Sequence, residues 1–130
     1  MRHSTPPSLE DILELAEQAL TAMPAVLRER VRGTAIIVED MPDDETLEEM
    51  GLEEPWELTG LYRGVPLTQK SVLDTPREPD TILLYREPIL LEWIETGEDL
   101  FGLVRNVLIH EIGHHFGLSD GDIDRLEREG

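Results

Sequence analysis

The sequence has no cysteine among its 130 residues, which excludes a disulfide framework and a thiolate metal site. Positive charge is also scarce: 11 Lys and Arg stand against 29 Asp and Glu, for a net charge of −18. A field of that sign repels phosphate backbones, so nucleic acid is not an expected partner. It favours basic peptides or basic protein surfaces, and it also serves solubility. No apolar run approaches the ~18 residues of a membrane span, so no membrane partner is expected. Residues 1–7 lack the apolar core of a secretion signal. They read as a flexible terminus, and a cytoplasmic location is the default expectation. What is present is enough for a core: 39% of residues are hydrophobic, and the length suits one domain spanning 1–130, without repeats or low-complexity stretches.

Three of the four histidines lie close together, in His110-Glu111-Ile112-Gly113-His114-His115. The pattern is H-E-x-x-H, and Gly117 and Asp120 extend it to H-E-x-x-H-x-x-G-x-x-D. On a helix, residues four apart lie roughly 40° apart around the axis and about 6 Å along it. His110 and His114 therefore present two imidazoles on one face, as a zinc site requires. Glu111 is displaced by roughly 100° from His110, which suits a general base better than a ligand. Zinc lowers the pKa of a bound water toward ~7, and an adjacent carboxylate can take its proton. A catalytic zinc has three protein ligands and an open position. Glycine favours the residue just past a helix end, so Gly117 can turn the chain and bring Asp120 back as third ligand. Asp122, Asp124 and Glu127 are rivals. Asp122 and Asp124 also suit the first turn of a last helix. The expected cofactor is Zn2+, held by His110, His114 and Asp120, with Glu111 catalytic.

The motif sits on a helix that begins after Gly97-Glu98-Asp99. Phe101, Val104, Leu108, Ile112 and Phe116 form a broad apolar arc, while Leu103 and Val107 project near the histidine face. A helix apolar nearly all round is a buried, central one. Gly102, Asn106 and Gly113 occupy a third sector, where small residues permit close packing or leave room for substrate. His115 falls inside the apolar arc and is expected to be a buried, hydrogen-bonded core histidine.

Elsewhere, Ser8 can cap a first helix over Leu9 to Met23, with a short helix from Ala25 to Arg30 after Pro24. Strands are expected over Thr34–Glu39, Leu58–Arg63 and Asp80–Arg86. A short acidic helix over Thr46–Met50 ends at Gly51, and Glu53–Glu57 reads as loop. Gly64–Leu67 reads as a turn and Thr68–Pro79 as a loop. Pro88 suits the first turn of a further helix. A last helix runs from about Gly121 to Glu129. Trp56 and Trp93 are expected in the core. Tyr62 and Tyr85 could supply a phenol to an oxyanion, but the expectation is strand tyrosines with surface hydroxyls. The sum is an α+β domain with a small mixed sheet packed against helices, one of them bearing the metal.

The extended motif resembles that of metzincin-type zincins with Asp as third ligand. Gly60 to Leu67, Asp80 to Ile89 and Leu108 to Ile123 look like the small bacterial zincin-like metallopeptidases, or minimal metalloprotease-like domains. The resemblance implies a zincin-like fold, the ligands and base named above, and a sheet edge able to pair with an extended peptide. Larger metzincins place a Met beneath the metal, downstream of the third ligand. Met1, Met23, Met41 and Met50 all lie upstream here. The expected function is a zinc-dependent metallopeptidase that hydrolyses peptide bonds with a Glu-activated, zinc-bound water. Its substrate is a peptide or protein, with basic ones favoured by charge. The alternative is a non-catalytic acidic protein-binding module that retains the scaffold and metal site.

Overall fold

The computed structural model describes residues 5–64 and 80–129. The turn expected at Gly64–Leu67, apart from Gly64, and the loop at Thr68–Pro79 lie outside these residues, as does most of the expected terminus. Ser8 opens the first helix as its sequence context requires. Its hydroxyl accepts the Asp11 N–H at 3.1 Å, and the Asp11 carboxylate accepts the Ser8 N–H at 2.9 Å. This reciprocal cap satisfies two donors that a helix start otherwise leaves orphaned. Helix α1 (Leu9–Ala22) then buries Ile12, Ala16 and Ala19. Helix α2 (Ala25–Arg30) resumes after Pro24.

Three strands form one sheet in the order β1-β3-β2. Strand β1 (Ala35–Glu39) lies parallel to β3 (Thr81–Tyr85), with Ile37 opposite Leu83. Strand β2 (Gly60–Arg63) is antiparallel to β3, with Leu61 opposite Leu83. The central position of β3 explains its unbroken apolar run. Ile82 and Leu84 enter the main core, and Leu83 and Tyr85 enter a smaller cluster with Leu58 and Leu61. Successive strand residues point to opposite faces, so only a strand covered on both sides is apolar throughout.

Helix α3 (Asp44–Met50) is capped by Asp43, whose carboxylate accepts the Thr46 N–H at 2.7 Å. The stretch expected to be loop includes a short 3-10 turn at Pro55–Glu57. Helix α4 (Arg86–Thr96) follows β3 directly, with Pro88 in its first turn. Helix α5 (Leu100–His115) is central. It buries residues around most of its circumference and packs against α1, α4, β2 and α6 (Asp120–Glu129). The expected α+β architecture is the one observed.

Two side-chain expectations fail. Trp56 is 45% exposed rather than in the core, because it sits in the short turn before β2 on the periphery. Trp93 packs against the main core, half-buried. Tyr85 is 1% exposed, so its hydroxyl is not at the surface; it is the last residue of the central strand and α4 starts immediately after it.

Candidate metal centre and active site

Asp99 starts α5 by accepting the Gly102 N–H at 3.0 Å. The helix ends just beyond the motif. Gly117 has φ +75°, and its N–H reaches the His114 carbonyl while the Leu118 N–H reaches that of Gly113 at 2.8 Å. This Schellman closure ties off carbonyls that the helix would leave unpaired and reverses the chain. Ser119 then caps α6 by accepting the Asp122 N–H at 3.1 Å. Asp120 is consequently the first residue of α6, not its cap.

Two contacts press α6 onto α5. A Cβ on Gly113 would stand 2.7 Å from Ile123 Cγ1, so only glycine allows this approach. Of the small residues in the third sector, Gly113 therefore serves packing, whereas Asn106 lines open space. The second contact joins Arg105 to the end of α6. Arg105 is 6% exposed, and its guanidinium donates to the carbonyls of Leu126 and Glu127, each at 3.2 Å. A cation there meets the negative end of the α6 dipole and pairs carbonyls that a helix end leaves free. The signal in the sequence was a lone Arg inside an apolar helix.

Held this way, α6 brings Asp120 to the motif. The His110 and His114 ring centroids are 4.2 Å apart, and Asp120 Oδ1 lies 3.4 Å from His114 Nε2. With Zn–N and Zn–O bonds of ~2.0–2.2 Å, neighbouring ligand atoms of a tetrahedral zinc are about 3.3–3.5 Å apart. The His114–Asp120 separation therefore fits one edge of a zinc tetrahedron, and the chemistry of the donors fits zinc. Among the described residues, no three His, Asp or Glu side chains are already gathered tightly enough to hold a metal. Asp122 pairs with Arg125 at 2.6 Å, Asp124 is exposed, and Glu127 is close enough to His110 to feel its charge.

Glu111 is wedged between α5 and the edge strand β2. A Cβ on Gly60 would meet Val107 Cγ1 at 2.7 Å and Glu111 Cγ at 3.4 Å, so glycine lets the strand lie against the helix. The Glu111 carboxylate accepts the backbone N–H of Tyr62. Burial pushes its pKa from 4.5 up to about 7, against the opposing pull of His114 and the Tyr62 N–H. The resemblance implied a sheet edge open to an extended peptide. At this point of β2 the edge is engaged: Gly60 is buried and the Tyr62 N–H is taken by Glu111.

His115 is half-buried rather than fully internal. Its ring stacks on Tyr62 with centroids 3.8 Å apart and planes 14° apart, and meets Phe116 edge-on. The Tyr62 hydroxyl donates to the Asp80 carboxylate at 3.2 Å. Tyr62 thus ties the end of the motif helix to the sheet, and its phenol is committed away from the histidines.

A cavity of about 340 Å³ opens beside the motif. His110, Glu111, Val107, Asn106 and Leu103 line it from α5, with Thr59, Glu92, Glu98 and Glu127 around them. Its size lies within the ~300–1,000 Å³ range usual for ligand sites. The sequence placed Leu103 and Val107 near the histidine face, but nothing in it singled out Glu92 or Glu98.

No curated protein gives a match to this chain. The family described as zincin-like metallopeptidase matches residues 31–129, a span that takes in all three strands, the motif helix and α6. The chain belongs to the zincin-like metallopeptidase family.

Proposed function

We propose that the protein is a zinc-dependent peptidase with His110, His114 and Asp120 as metal ligands and Glu111 as general base. The observation that carries this reading is the setting of Glu111. Its side chain is half-buried in the wall of a cavity that it shares with His110, and desolvation raises its pKa to about 7. A general base works best when its pKa lies near the working pH.

Bound zinc would supply a Lewis acid that polarises the scissile carbonyl and acidifies water. The rest falls to side chains of this chain. Glu111 takes a proton from the attacking water and delivers it to the leaving amine, so one carboxyl serves as base and then as acid. The Tyr62 N–H favours the charged form of that carboxylate. The cavity wall formed by Leu103 and Val107 keeps water from one side of the reacting centre. Arg105 and the Gly113–Ile123 contact keep Asp120 within reach of His114.

The test is Glu111→Gln. The zinc-loaded variant should bind about one equivalent of metal, as wild type does, and lose on the order of 100-fold or more in peptide hydrolysis, the scale of a general base. Wild-type protein that binds zinc and cleaves nothing in a broad peptide library would remove the catalytic reading. The non-catalytic binding module would then be preferred.

A further inference from the structure

The cavity beside His110 has two kinds of wall. Leu103, Asn106, Val107 and His110 follow one another at helical spacing on one face of α5, so the cavity extends roughly 10 Å along the helix, away from the motif toward its start. Leu103 and Val107 make this wall apolar. Glu92 on α4 and Glu98, just before α5, line the cavity as well. Glu127 stands near the His110 end. Among the described residues, no Lys or Arg lines the space. Arg105, the nearby cation, is buried with its guanidinium turned onto the α6 carbonyls.

We propose that this cavity is a specificity pocket for a Lys or Arg side chain of the substrate, with the aliphatic stem on Leu103 and Val107 and the cationic head on Glu92 and Glu98. The proposal rests on the peptidase reading for what happens next to the pocket, but the recognition itself does not require catalysis. The location comes from the cavity and its continuity with His110 and Glu111; the acids decide only which side chain it takes. A long basic side chain matches both walls, because its stem covers apolar surface while its head seeks carboxylates. A shorter acidic or purely apolar side chain would leave the glutamates facing each other. They already do so at a cost. Burial, and then the charges of Glu98 and Glu95, push the Glu92 carboxyl above its ordinary range. Burial does the same to Glu127, with Asp124 and Glu98 adding to it and His110 and Arg105 opposing it. A bound cation relieves this repulsion, which an apolar ligand cannot do.

Binding is measured with two short acetylated, amidated peptides that are identical except for Lys or norleucine at one position. Titrations by calorimetry and by amide chemical shifts are run at 150 mM salt with the Glu111→Gln protein, with and without zinc, so that nothing is cleaved. The Lys peptide should bind about tenfold tighter or more, and it should shift the amides of Leu103, Asn106 and Val107. Glu92→Gln/Glu98→Gln should reduce the preference to about twofold or less. Glu10→Gln/Glu14→Gln, which removes the same charge from exposed positions on α1, should retain it. Equal affinity for the two peptides, or a preference lost equally in both double variants, overturns the pocket and leaves only the attraction of a highly acidic surface. The two readings fail separately. Lys-selective binding at these amides without cleavage by wild type refutes the peptidase alone, and cleavage without regard to a basic residue refutes the pocket alone.

Discussion

Replacing Glu111 with Gln should stabilise the metal-free protein by an amount that is negligible below pH 4.5, grows as pH rises from 4.5 to about 7, and is level above that. Glu111 has a folded-state pKa of about 7 against an ordinary 4.5, chiefly because burial disfavours its charge. The folded protein therefore holds a proton between those values that the unfolded chain has already released. Stability falls wherever the native state binds more protons than the unfolded state, so this carboxyl costs nothing below pH 4.5 and progressively more as pH rises through 7. A difference of that size corresponds to about 3 kcal/mol between the two protonation states, and to about 2–3 kcal/mol after relaxation around a partly accessible group. Glutamine has nearly the same shape, retains an oxygen for the Tyr62 N–H and never ionises. Urea unfolding of both proteins in the presence of a chelator, from pH 4.5 to 8.5, isolates the term, because every other titrating group is common to the two. The variant should gain about 2–3 kcal/mol over wild type across this range. A difference that stays flat with pH, or that favours wild type as pH rises, would refute the claim that burial controls this carboxylate.

Asp120→Ala should lower zinc affinity by more than the ~10–100-fold typical of an outer-sphere partner, while Glu127→Gln changes it by about threefold or less; calorimetric titration with zinc checks both, and the reverse ranking would move the third ligand to Glu127. Gly113→Ala puts a methyl carbon 2.7 Å from Ile123 Cγ1 and should cost about 1–3 kcal/mol of stability and also weaken zinc, because α6 carries Asp120. The displacement of α6 would appear as shifted amide resonances over residues 120–129.

Much of the site was legible because it depends on local geometry. The four-residue spacing of His110 and His114, the offset of Glu111 and the stop at Gly117 all follow from helical repeat and backbone stereochemistry. Each holds in the structure as a helix ending in the expected turn. The unbroken apolar run of β3 similarly identified a strand, and its central position accounts for the lack of alternation. The misplaced residues are those whose surroundings come from distant parts of the chain. Trp56 is apolar enough for the core but lies on its periphery, and Tyr85 is carried inside by the strands on either side of it. The helical angle of His115 points to the core, yet the residue is only half-buried and stacks on a Tyr62 ring from the sheet.

By itself, the sequence determined which residues share a face of the motif helix, where that helix begins and ends, and that the donors available are imidazoles and carboxylates rather than thiolates. These are properties of one helix and of side-chain chemistry, and they need no partner element. Tertiary structure alone decided which acid stands beside His114, because the position of α6 depends on the Gly113–Ile123 approach and on the Arg105 hydrogen bonds. It also decided the protonation of Glu111 and the acidic cavity at His110. Desolvation by a neighbouring strand, and charges converging from α4, α5 and α6, are sums over space, and the order of residues along the chain does not contain them until the chain has folded.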